Sequence, residues 1–204
     1  MAIMALPQMQ ISKAEDKQKR MIMEKTVIVA GITRSGLSLM MQMLHKGGFP
    51  CYGTYPAFED YQVGQIDYHE ARHKAIKLVD SHNQLPPPGD YYVIRMRRNL
   101  DQQIKSLMKF MRIMGVPVLG SDRRKLKRSV IRDYEKIDAW ARQQKDLMYM
   151  DFETLIESPR TALVMLKNAF GIELSDEAIE CVISRSTTCY HGMLEIQLIK
   201  ESKK

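Results

Sequence analysis

The residues of this 204-residue chain that could do chemistry begin with a glycine-bounded turn, Gly31-Ile-Thr33-Arg34-Ser35-Gly36-Leu37-Ser38. Gly31, Gly36 and Ser38 fit the pattern G-x-x-x-x-G-K-[ST], in which backbone N–H groups and a helix N-terminus cradle a phosphate. The lysine position is Leu37, and the nearby cation is Arg34, inside the loop. Such a loop suits an anionic 5′ group but lacks the lysine that reaches the outer phosphates of a triphosphate. A second pair is Arg98 and Ser106, eight positions apart. A guanidinium at a strand end can fork onto a phosphate, and a serine on the next helix can donate to the same group.

His69-Glu70-Ala-Arg72-His73 spells H-E-x-x-H. On a helix both imidazoles would share a face and Glu70 could act as base for a zinc-bound water. Arg72 places a cation between the two ligands, and no Glu follows until Glu135 to supply a third. The motif is read as a chance match, and no metal site is assigned. Cys51, Cys181 and Cys189 are odd in number and show no paired spacing. They make neither a disulfide framework nor a zinc site, which points to a reducing, cytoplasmic-type compartment.

These residues need elements to hold them. Thr26–Gly31 is a short β-branched apolar run, the signature of a buried parallel strand. From Leu37 the period turns helical through Met40, Met41 and Leu44 until Gly47-Gly48. Residues 49–66 read as loop, and 67–77 as a helix. Tyr91–Arg97 is the next strand, and Asn99 with Gln102 resembles a capping box for a helix that stops at Gly115 and Pro117. Ser121 opens a long basic helix to about residue 145, followed by a strand over 147–152. Helices are expected over Pro159–Phe170 and from Ser175. Strands alternating with helices imply an α/β fold: one domain, a parallel sheet flanked by helices, of the P-loop nucleotide-binding type. The domain is expected over 25–186, with a peripheral segment at 1–24 and a tail at 187–204. No apolar run approaches the roughly 18 residues of a membrane span.

The segment from Val29 to Leu44 resembles the 5′-phosphosulfate loop of the P-loop sulfotransferases, in which Lys or Arg precedes Ser-Gly-Thr-Thr/Ser. Arg34, Ser35, Gly36 and Ser38 match, while Leu37 stands where that family usually has Thr. Val93 to Ser106 resembles the family's 3′-phosphate segment, with Arg98 and Ser106 at its spacing. Asp151-Phe-Glu-Thr-Leu155 stands in place of a Tyr-Glu-Asp-Leu-like run. The likeness extends over about 25–183 and is nearest to short bacterial and phage-type members. It implies a sulfotransferase that takes 3′-phosphoadenosine 5′-phosphosulfate (PAPS) as sulfuryl donor and releases adenosine 3′,5′-bisphosphate. Thr33, Arg34, Ser35, Gly36, Leu37, Ser38, Arg98 and Ser106 would hold the nucleotide, and the in-line transfer would need no metal. The acceptor would be a small molecule or a carbohydrate bearing a hydroxyl or amine. A P-loop nucleotide-binding protein or kinase without this activity is the alternative, and Leu37 disfavours the kinase.

Related enzymes draw their base, a Glu or His, from beyond the first helix. Residues 49–70 offer Glu59, Asp60, Asp67, His69 and Glu70. Glu59 is preferred, because Tyr52, Tyr55, Phe58 and Tyr61 surround it in sequence and could desolvate it. His69 comes second, and Arg34 would serve the developing charge. The net charge of +7 is local: eleven basic residues and two acids lie between Arg95 and Arg128. Without a helix-turn-helix, zinc-finger or RNP signature, this suits a small polyanionic nucleotide better than a nucleic acid. The run Arg123–Arg128 is either a solvated helix face or a source of positive potential toward donor or acceptor.

Overall fold

Among the described residues four short strands form one parallel sheet: β1 (Thr26–Gly31), β2 (Ala75–Val79), β3 (Tyr91–Arg97) and β4 (Asp146–Asp151), in the order β2-β1-β3-β4. The structure is a computed structural model that describes residues 25–59, 66–83 and 85–182. The expected segments 1–24 and 187–204 lie outside the described residues, as do Asp60, Tyr61 and Cys189. The helices are α1 (Leu37–Lys46), α2 (Leu100–Ile113), α3 (Asp122–Ala141), α4 (Phe152–Glu157), α5 (Pro159–Phe170) and α6 (Glu177–Glu180). Among the described residues no helix is long and apolar enough to cross a membrane.

The sheet is covered on both faces, so its central strands carry no polar alternation. Every residue of β1 is buried. Val27, Val29, Ala75, Ile94, Met96 and Met150 face a core closed by Met40, Met43 and Leu44 of α1 and by Leu166 and Phe170 of α5. Phe152 and Leu155 join it, with Ile156 and Leu163 packed at its margin. Ile28, Ala30, Ile76, Leu78 and Val93 face the other way, toward Trp140 and Ala141 of α3. A third cluster joins Ile32 to Ile104 and Met108 of α2 and to Val130 and Ile137 of α3.

The strand order fixes where ligands go. The chain leaves β1 for β2 on one side, then returns to β3 on the other. The crevice at the carboxyl ends of β1 and β3 is therefore the topological switch point, where open α/β sheets bind. The Gly31–Gly36 turn and the arginines after β3 both end there.

The helix expected over 67–77 is not formed. Residues 68–73 are turns, held by Asp67 Oδ1 accepting from the backbone of His69 (2.9 Å) and Glu70 (3.1 Å). Strand β2 follows, pairing Lys77 with Val29. The run Ala75-Ile-Lys77-Leu-Val79 is buried on both faces, so it shows no period of two. Elsewhere the boundaries are close. The N-cap side chain of Asn99 accepts from Gln102 N at 3.2 Å. Ser121 precedes α3 but makes no side-chain cap, and the helix ends at Ala141, short of the expected 145.

Candidate functional site

The turn after β1 is built around two glycines. Gly36 takes φ +102°, which side-chain-bearing residues rarely adopt, and an added Cβ would lie 2.6 Å from the Phe152 ring. A Cβ on Gly31 would lie 2.6 Å from Ser35 Oγ. The turn closes through Ser35 N donating to Ile32 O (3.1 Å). Helix α1 then starts with no side-chain cap and no acidic residue in its first turn. Its first N–H groups are left for an anion. Ser35 Oγ is buried and has no hydrogen-bond partner among the described residues. An orphaned hydroxyl inside such a turn fits a phosphate oxygen.

The two segments recognised in the sequence converge here. Arg34, at φ +71°, donates from Nε to Ser106 Oγ at 2.9 Å. Arg98 Nη1 donates to Arg34 O at 3.1 Å. Arg98 also lies over the Phe152 ring (4.2 Å), and Arg34 over Phe110 (5.5 Å). Arg34, Ser106 and Arg98 are thus linked to one another at the carboxyl ends of β1 and β3, with Ser106 itself buried.

Lys77 reaches the loop from β2, and sequence reasoning missed it. Its ammonium donates to Ser38 Oγ (2.8 Å) and to Ala57 O (2.8 Å), and it pairs with the Glu59 carboxylate. Its side chain is 2% exposed, and that of Glu59 is 41%. Burial pushes the Lys77 ammonium below the usual lysine range, Glu59 opposes this, and Arg34 adds to it. The expected setting of Glu59 is therefore corrected: its partner is a buried cation, while Tyr55 and Phe58 cluster with His45. A lone lysine in an apolar run, followed by Asp80, was the available signal. It was lost because the run was read as a helix.

Thr33 is held from two sides. Its N–H and hydroxyl donate to the Asp80 carboxylate (2.9 and 3.2 Å), and its carbonyl accepts from Gln103 Nε2 (3.0 Å). Gln103 is in turn held by the Tyr134 hydroxyl. Burial, above all, raises the Tyr134 phenol to about 12. Thr33 thus braces the loop with its side chain already in use. Leu37 is buried and offers only its backbone.

His69 stands apart from these residues. It lies in the turns before β2, beside the amino end of β1, where Lys74 O accepts from Val27 N. The loop is at the opposite end of that strand. With 68–73 in turns and His73 at φ +61°, His69 and His73 share no helical face. Among the described residues no group of three or more metal-ligating side chains occurs. Cys51 and Cys181 are free thiols, and burial raises Cys51 to about 12. The two arginines within β3 have other partners. Arg95 is fully buried and donates to Asp138 Oδ1 (2.9 Å), whereas Arg97 stacks on Tyr149 (3.5 Å).

Among the described residues the fold is a single α/β domain with a four-strand parallel sheet flanked by helices, and this fold is similar to that of a sulfotransferase domain. One solved structure with this likeness is the "Sulfotransferase Domain from the Curacin Biosynthetic Pathway". It is 12% identical, the match covers 85% of this chain and 82% of that chain, and the TM-score is 0.54. No family model and no curated protein matches the chain.

Proposed function

We propose that this chain transfers a sulfuryl group from PAPS to a hydroxyl or amine of a small-molecule or carbohydrate acceptor. The observation that carries the reading is the contact of Arg34 with both Ser106 and Arg98. Two segments 64 to 72 positions apart, each suited to one phosphate group of PAPS, meet at the switch point of the sheet. The fold likeness to a sulfotransferase domain supports it. In this reading the domain runs over 25–186.

When bound, PAPS supplies a sulfuryl group already activated on its 5′-phosphate. The residues of the chain do the rest. The loop N–H groups, the α1 N-terminus and the hydroxyls of Ser35 and Ser38 bind the 5′ end. Arg98 and Ser106 would hold the 3′-phosphate, and Arg34, which contacts both, would offset charge developing at the 5′ end. Lys77 brings an ammonium to Ser38 from the neighbouring strand, and its charge would stabilise negative charge developing on the donor's 5′-phosphate although position 37 is leucine. Glu59, a carboxylate on that same ammonium, takes the proton of the acceptor hydroxyl.

Titration calorimetry with adenosine 3′,5′-bisphosphate in the absence of Mg²⁺ tests the reading. Binding is expected. Mg²⁺-dependent binding of ATP, with none of the bisphosphate, would place the chain with P-loop kinases instead. Lys77 keeps that second reading in view, because it supplies the ammonium that position 37 lacks.

A further inference from the structure

Three of the six large hydrophobic side chains exposed among the described residues fall within six positions: Met114 (48%), Val116 (44%) and Leu119 (68%). They stand on the connection between α2 and α3, together with exposed Pro117. Only Val118 turns inward, onto the cluster of Ile32, Ile104 and Met108. Apolar side chains gathered on a connection gain nothing from water and mark an interaction site. The tip is fixed in shape, since Val116 N donates to Met111 O (2.9 Å) and Leu119 N to Asp122 Oδ2 (2.9 Å).

Cations flank the tip on both sides. Arg112 precedes it, and Arg123, Arg124 and Lys125 follow in the first turn of α3, all exposed. Arg124, Arg128 and Ile131 extend along one exposed face of α3. Between Lys105 and Arg128 the one acid is Asp122, already engaged with Leu119 N. Asp101 takes Arg123 (3.0 Å) and Lys127 (3.2 Å). Among the described residues no ion pair engages Arg112, Arg124, Lys125 or Arg128.

We propose that residues 112–128 form a docking surface for an anionic lipid bilayer. Met114, Val116 and Leu119 enter the headgroup layer, and Arg112, Arg124, Lys125 and Arg128 meet the lipid phosphates. The apolar tip decides for a bilayer over a polyanion. A nucleic acid or sulfated chain would use the cations but has no place for three aliphatic side chains. No aromatic residue lies between Phe110 and Tyr134 on which a base could stack. The surface invokes none of the loop residues, so it stands independently of sulfuryl transfer. It does adjoin them: Ser106, Phe110 and Met114 follow at successive turns of α2 and its C-cap, and Phe110 packs on Arg34.

The test is co-sedimentation of the full chain with phosphatidylcholine vesicles, with and without about 30% phosphatidylserine. Binding to the anionic vesicles alone is expected, weakening about tenfold as salt shortens the Debye length. The double variants Val116→Asp/Leu119→Asp and Arg124→Glu/Lys125→Glu should each lose about tenfold in affinity, with unchanged melting temperatures. Absence of wild-type binding to the anionic vesicles overturns the proposal. So does binding that is unaffected by Val116→Asp/Leu119→Asp and matched by retention on heparin or single-stranded RNA, since that pattern marks a polyanion site.

Discussion

Lys77 Nζ donates to Ser38 Oγ at 2.8 Å, joining the middle of β2 to the first turn of α1. Through this bond a strand adjacent to β1 delivers the cation that the loop's own sequence omits at Leu37. Lys77→Met keeps the stem and removes the charge. Turnover with PAPS should fall by about 10²–10³, while bisphosphate affinity falls much less, because in the proposed mechanism the lost interaction grows with charge on the departing phosphate. Stability should hold or rise, since an apolar isostere replaces a buried ammonium and the half-exposed Glu59 can hydrate. Steady-state kinetics, calorimetry and thermal melts together check this. Wild-type turnover would remove Lys77 from the mechanism.

Arg98→Ala should weaken binding of adenosine 3′,5′-bisphosphate by about 10- to 100-fold, the worth of a charge-assisted contact. Arg98→Lys should restore little. The planar guanidinium both lies over Phe152 and donates to Arg34 O, and an ammonium cannot do both. Unchanged affinity in Arg98→Ala would refute the 3′-phosphate assignment.

Gly36→Ala should lower the melting temperature and abolish bisphosphate binding together. The residue must hold φ +102° with the Phe152 ring where a Cβ would go, a strain of about 1–3 kcal/mol before any clash is relieved. The companion change Phe152→Leu should recover part of the stability by making room. A variant with native stability and affinity would mean that the loop tolerates another backbone path.

Much of this arrangement is legible in the sequence, and the reason differs by element. Strands β1 and β3 carry β-branched or aromatic runs ended by Gly31 or by arginines, and their bounds follow from that alone. The Asn99 cap and the apolar period of α2 place Ser106 eight residues after Arg98. Strand β2 was hidden by Lys77, because a charge inside an apolar run breaks the strand signal unless its partners are known. Those partners, Ser38, Ala57 and Glu59, lie 18 to 39 positions away. The same distance hid Asp80 and Gln103, which brace Thr33 across 47 and 70 positions. Local periodicity reports what a residue prefers, whereas these contacts depend on which strand ends the topology brings together.

Glu59→Gln should reduce turnover by about 10²–10⁴ while bisphosphate binding survives. The amide keeps the shape and can still accept from Lys77, but it cannot take up the acceptor's proton. His69→Ala should leave both readouts near wild type, because His69 lies at the other end of β1. The reverse pattern, with Glu59→Gln active and His69→Ala inactive, would require the segment 68–73 to relocate.

Tyr134 links the basic helix to the loop. Its hydroxyl donates to Gln103, Gln103 donates to Thr33 O at 3.0 Å, and Thr33 donates twice to Asp80. Tyr134→Phe leaves the fully buried Gln103 without that donor, at a cost of about 1–3 kcal/mol. A several-fold loss of bisphosphate affinity should follow, because the loop carbonyl loses its brace. The pH dependence separates this from a simple packing defect. Burial raises the phenol to about 12 in the folded chain, whereas an unfolded tyrosine ionises near 10. Above pH ~10 the unfolded state releases the proton first, so the Tyr134 contribution to stability falls as pH rises toward 12. The phenylalanine variant has no such loss, and its deficit against wild type should shrink between pH ~10 and ~12. Urea melts at matched pH values measure that deficit. A deficit that stays constant across the window would mean that the phenol titrates alike in both states, and that the link from α3 to Thr33 is weaker than its geometry implies.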